Sequence, residues 1–237
     1  MQTVNVELAE RSYKVYIGSG FLGNQHAAFD LPDGGTALIV SNQTVAPLYL
    51  DSLKDSLSTA NVHSLVLPDG ESYKTMAYWS KIIDKLIDMS ATRDATILTL
   101  GGGVIGDMGG FAAASYMRGI RFVQVPTTLL SQVDASVGGK TGFNHRSGKN
   151  LIGAFHQPAA VLIDIDTLNT LPAREFSAGL SEVVKIAAIR DADFLSWLEQ
   201  NTAAIMSRDT GVLVELIKRS VENKAQVVSE DEREAGV

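Results

Sequence analysis

In the stretch Ala95-Thr96-Ile97-Leu98-Thr99-Leu100-Gly101-Gly102-Gly103-Val104-Ile105-Gly106-Asp107, a short run without strict polar alternation breaks on three consecutive glycines. A run of that length and texture predicts a strand covered on both faces, and the residues beyond the glycines predict a helix. The same unit recurs on either side. Residues 74–89 carry Ile82, Ile83, Leu86 and Ile87 at helical spacing, and 62–67 is another apolar run broken by Pro68-Asp69-Gly70. Before it, 44–60 reads as helix and 37–40 as strand, entered through Pro32-Asp33-Gly34-Gly35. A third unit runs from Gly106 through Phe122 to Val125. Repeated strand–helix–strand units predict an α/β fold around a parallel sheet.

The two ends differ from this pattern. Val4, Val6 and Leu8 alternate with polar residues, as do Tyr13, Val15 and Ile17, which predicts an opening β-hairpin around Glu10 and Arg11. From about Glu175 onward the periodicity is helical only, with Leu213, Leu216, Ile217 and Val221 opposite Glu215, Lys218, Arg219 and Glu222. The expected organisation is an N-terminal parallel-sheet domain over 1–172, followed over 173–237 by the start of an all-α domain with too few helices to enclose a core alone.

Composition narrows the function classes. The chain has 237 residues, 45% of them hydrophobic, enough for a substantial core, and no cysteine, so thiolate chemistry is excluded. Lys plus Arg number 20 against 27 Asp plus Glu, a formal charge of −7, which argues against nucleic acid or an anionic membrane as partner. No apolar run approaches the ~18 residues of a membrane-spanning helix, and the expected location is cytoplasmic.

Several segments could carry chemistry. Gly101 to Gly106 satisfies G-x-G-x-x-G between a strand and a helix, which favours a pyrophosphate site over the other reading of the pattern, a tight turn needing small residues. Asp69-Gly70-Glu71-Ser72-Tyr73-Lys74 lies beyond a strand's carboxyl end, as a ligand loop or a capped turn, and Thr127-Thr128 follows Val125-Pro126 likewise. The segment Asp134 to Thr141 ends in Gly-Lys-Thr without the earlier glycine of a P-loop. With Gly148-Lys149-Asn150 and Arg118 it reads as a glycine-rich loop whose cations suit a phosphorylated or carboxylated small molecule. Glu182 and Lys185, three apart on a helix, are either an ordinary ion pair or a metal ligand beside a cation. His26, His63, His145 and His156 show no metal-ligand spacing.

Segments 68–74, 101–121, 125–140, 148–158 and 179–185, in this order, together resemble the 3-dehydroquinate synthase family, from the opening hairpin to the last residue. The resemblance implies a lyase of the shikimate pathway that uses NAD and a divalent metal, zinc or cobalt, to convert the seven-carbon sugar acid phosphate DAHP to 3-dehydroquinate and phosphate. By position, NAD falls to Asp69, Gly70, Glu71, Ser72, Tyr73 and Lys74; to Gly103, Val104, Ile105, Gly106 and Asp107; to Thr127, Thr128, Lys140 and Lys149; and to Thr167, Leu168, Asn169 and Thr170. Substrate falls to Arg118, Asp134, Lys140, Lys149, Asn150 and Lys185, with Asp134, Lys140 and Lys185 as catalytic residues and Glu182 as metal ligand. Arg118 is expected to reach the site of a second copy in a homodimer.

The resemblance also implies that the family continues past this chain into a histidine-bearing helical segment, so the 237 residues are expected to be an inactive fragment with Glu182 as a lone ligand. Other readings within the same pattern are a cyclase of another sugar phosphate, a metal-dependent alcohol dehydrogenase of related fold, and a non-catalytic NAD-binding module. The cations at 118, 140 and 149 exceed what a simple alcohol requires.

Overall fold

The structure is a computed structural model and describes residues 1–23, 35–57, 61–232 and 236. His26, the turn at 32–34 and the end of the helix expected over 44–60 lie outside the described residues. The hairpin is present as β1 (Gln2–Val6) and β2 (Tyr13–Gly18), antiparallel and joined by a short 3-10 turn at Ala9–Arg11. The alternating units follow as β3 (Thr36–Asn42), α1 (Ala46–Ser56), β4 (Asn61–Leu67), α2 (Met76–Asp88), β5 (Thr96–Gly101), α3 (Gly103–Ser115) and β6 (Arg121–Pro126).

Two features differ from the sequence reading. The stretch expected to be a glycine-rich loop is an antiparallel hairpin, β7 (Lys140–His145) with β8 (Gly148–Phe155), entered through a π-helical turn at Ser131–Ala135. Gly142 and Gly153 face each other across it, and a Cβ on either would collide with the opposite backbone. Glycine here permits close strand approach and at the same time removes the apolar alternation that identifies strands. The sheet also gains β9 (Ala160–Asp164), inserted between β2 and β6.

The main sheet runs β1-β2-β9-β6-β5-β3-β4, and every neighbouring pair except β1–β2 is parallel. Both faces are covered, which explains the missing alternation. Leu38, Val40 and Ile97 join Ile82, Leu86, Met108 and Phe122 on the side of α2 and α3. Ala37, Ile39, Leu98 and Leu100 join Leu50 and Leu53 of α1 on the other.

The last part of the chain is α4 (Ala173–Arg190), α5 (Ala192–Gln200), α6 (Thr202–Met206) and α7 (Thr210–Glu230). Their apolar sides share one cluster with the opening hairpin: Val4, Val6, Val15 and Ile17 are buried with Phe176, Val183, Leu213, Leu216 and Val221. Val184, Ile189 and Met206 stay exposed. No helix among the described residues is long and apolar enough to cross a membrane.

Candidate functional site

Parallel strands end on one edge of the sheet, and that edge is where an open α/β sheet leaves room for a ligand. The residues following β3, β4, β5, β6 and β9 here line one crevice of about 830 Å³. After β3, Asn42 accepts the amides of Thr44 and Val45 and donates through Nδ2 to Asp69 Oδ1 at 2.9 Å. Thr44 Oγ1 donates to the other Asp69 oxygen at 2.7 Å. Asp69 is therefore tied to the neighbouring strand end, a partnership that single-segment reading missed. Glu71 and Lys74 line the crevice from the same loop, whereas Tyr73 packs edge-on against Tyr78 and Ser72 lines a shallower hollow behind the hairpin. Gly70, at φ 119°, turns the loop.

The glycine turn after β5 opens α3 with Gly102 as N-cap, without a side-chain cap. Gly102, Gly103, Val104, Ile105 and Asp107 line the crevice. Gly106 serves packing: a Cβ there would stand 2.8 Å from Gln124 Oε1 of β6. After β6, Thr128 caps the following turn by accepting from the Ser131 amide at 3.2 Å, while Thr127 Oγ1 is buried without a protein partner. After β9, Thr167 and Thr170 complete the lining, and Tyr49 of α1 meets Thr170 Oγ1 at 2.5 Å. Leu168 instead lies in the core and Asn169 is exposed outside the crevice lining, while Arg208 takes the backbone carbonyls of both. The volume suits a small-molecule cofactor. A helix N-terminus opening on glycines and an orphaned buried hydroxyl fit a dinucleotide pyrophosphate and its hydroxyls.

A second crevice of about 440 Å³ adjoins the first and is lined by Asp107, Asp134, Lys140, Asn150 and Lys224, among others. Asp134 pairs with Lys224 of α7 at 2.7 Å. Lys224 was not visible as a site residue in the sequence, because its role depends on α7 folding back over the turn that carries Asp134. Lys149 extends from β8 toward the first crevice. Between the two, the buried Lys74 donates to Asp107 at 2.5 Å and to Asn150 Oδ1 at 2.6 Å. Burial pushes the Asp107 carboxyl up from its ordinary range, and Lys74 opposes that rise.

Glu182 and Lys185 form an ion pair on α4. The hydrogen bond to Glu182 raises the Lys185 ammonium pKa, and the charge of Asp134 adds to it. Neither residue lines the two crevices. α4 nevertheless lies close to the strand-end turn, since a Cβ on Gly179 would stand 2.6 Å from Leu129 Cβ. Among the described residues no group of three or more His, Cys, Asp or Glu could hold a metal. Arg118 sits exposed on a turn where Met117, Arg118 and Gly119 all have positive φ, outside the lining of both crevices. His156 is a packing residue, stacked on Phe122 and bonded to the Ile120 carbonyl at 3.0 Å.

Residues 64–178 match the profile of the 3-dehydroquinate synthase N-terminal region and residues 179–237 that of the 3-dehydroquinate synthase C-terminal region. The whole chain is 56% identical to a 3-dehydroquinate synthase of Hydrogenovibrio crunogenus and spans 66% of that relative's length. Its fold is similar to 2-epi-5-epi-valiolone synthase from Streptomyces hygroscopicus subsp. jinggangensis, solved with NAD+ and Zn2+ bound. That match has a TM-score of 0.88 at 33% identity and covers 97% of this chain and 64% of the other. It is also similar to 2-deoxy-scyllo-inosose synthase, solved with carbaglucose-6-phosphate, NAD+ and Co2+, with TM-score 0.88, 28% identity, and 99% and 64% coverage. With both profiles met in order and over half its residues identical to the first relative, the chain belongs to the 3-dehydroquinate synthase family.

Proposed function

We propose that the polypeptide carrying this chain is a 3-dehydroquinate synthase that takes DAHP to 3-dehydroquinate and inorganic phosphate. The observation that carries this reading is the meeting of a crevice of about 830 Å³ at five strand ends with a lysine-lined one, across the shared residues Asp107 and Asn150. The identity to named synthases supports it. NAD, held in the first crevice, would supply reversible hydride acceptance at a substrate hydroxyl. Asp69 and Glu71, with the turn from Gly103 to Asp107, would bind it from one side. Thr127, Thr128, Thr167 and Thr170 would bind it from the other, with Lys149 at the rim.

The second crevice would take the sugar acid phosphate. Lys140, Lys149 and Asn150 would orient its phosphate, aided by Arg118 from a second copy of the chain. Charge complementarity is local, because the chain as a whole is acidic. Asp134, held by Lys224, would accept or return a proton at the reacting hydroxyl, and Lys185 would add positive charge beside it. Glu182 would give one carboxylate to a divalent metal, which would supply Lewis acidity.

Phosphate release from DAHP by the gene product should require NAD and stop on chelation. Turnover that persists after removal of both would overturn the reading. Release from other sugar phosphates at a matching rate would instead assign the protein to another cyclase of this fold.

A further inference from the structure

The two crevices share Asp107 and Asn150, and one buried ammonium holds both. Lys74, only 4% exposed, donates to Asp107 Oδ2 and to Asn150 Oδ1. An ammonium has donors and no acceptor, so the Asn150 carboxamide is left one orientation. Its oxygen faces Lys74, and Nδ2 becomes the group that Asn150 offers to a ligand. The backbone repeats the connection. Asn144 of β7 donates its amide to the Lys74 carbonyl at 2.8 Å and its Nδ2 to Glu71 at 2.7 Å, and it accepts the Asn150 amide at 2.8 Å. Asn150 itself holds a positive φ of 54°, the left-handed region that asparagine enters more readily than most residues.

We propose that Lys74 is a positioning residue, which turns the Asn150 amide donor outward and fixes Asp107 beside it, so that the β7–β8 hairpin is held in register with the nucleotide crevice. This rests on the function proposed above for the identity of the ligands. It differs from a cofactor contact, in that Lys74 acts through two other side chains. A buried ammonium is costly unless paired, and pairing here consumes two of its donors on protein groups. The groups facing Asp107 are Lys74, Glu71 and Lys140. Without Lys74, burial and Glu71 would raise the Asp107 carboxyl further, opposed by Lys140.

The test uses Lys74→Met in the complete gene product. The side-chain amide signals of Asn150, assigned in the 1H–15N spectrum by their loss in Asn150→Asp, should be a single slowly exchanging pair in the wild type and should broaden or exchange rapidly in the variant. Calorimetric affinity for NAD+ should fall by roughly tenfold, with its pH dependence displaced upward, as expected when a charge-assisted contact is lost. Unchanged Asn150 signals with unchanged NAD+ affinity would overturn the proposal.

Should Lys74→Met not fold, Asn150→Asp serves alone. Lys74 accepts a carboxylate in that place, so melting should stay near wild type while the KM for DAHP rises about tenfold because a donor has become an acceptor. A wild-type KM there would overturn the proposal. If the wild-type protein releases no phosphate from DAHP, the function proposed above falls, and the amide signals and NAD+ affinity still decide the role of Lys74.

Discussion

Asp191 ties two helices, α5 and α7, together through one carboxylate. It caps α5 by accepting the Phe194 amide at 2.8 Å, and it receives Arg219 and Asn223 of α7, each at 3.2 Å. Burial pushes this carboxyl up, but the three donors outweigh it and hold it below its ordinary value. A carboxyl depressed in the folded state contributes stability in full above its unfolded pKa of about 3.9, and loses it as pH falls through the folded value. Asp191→Ala should cost about 1 kcal/mol at pH 7, and the gap to wild type should narrow below about pH 4. Urea denaturation at the two pH values measures both. A gap of equal size at low pH would assign the loss to helix packing. At this scale the sequence was informative wherever a residue's partner lay nearby in the chain, as for Glu182 and Lys185. It was silent for Lys224, whose partner Asp134 is brought to it by the fold.

The β7–β8 hairpin lines the second crevice and α4 carries Glu182 and Lys185, and both elements depend on glycines where strands or helices touch. A methyl group on Gly153 would meet the Thr141 carbonyl, so Gly153→Ala should break the hairpin register and weaken phosphate binding by roughly tenfold, read as the KM for DAHP. A methyl group on Gly179 would meet Leu129 and the Leu130 backbone nitrogen at 2.8 Å. Gly179→Ala should therefore destabilise by about 2 kcal/mol in urea denaturation, since backbone cannot give way as a flexible side chain does. The alternating strands and helices from β3 to β6 were legible because two covered faces leave continuous apolar runs, as Leu38 and Val40 on one side and Ala37 and Ile39 on the other show. The hairpin was not legible, because its close approach is made by residues that carry no apolar signal.

At the scale of the whole chain, charge would act on the proposed substrate in two opposite ways. A formal charge of −7 acts at long range, while Lys140, Lys149 and Lys224 act within the crevices. Screening shortens from about 30 Å at 0.01 M salt to about 10 Å at 0.1 M. The kcat/KM for DAHP should rise over that interval as the distant repulsion fades. A steady fall from the lowest salt would mean that the lysine field dominates even at a distance.

The cluster shared by β1, β2 and α7 has a consequence for biosynthesis. During translation the first eighteen residues leave the ribosome with Val4, Val6, Val15 and Ile17 bare, and the helix that shelters them is made some two hundred residues later. The middle strands can assemble in the meantime, but the hairpin must wait, and a nascent chain halted before α7 would present it uncovered to chaperones.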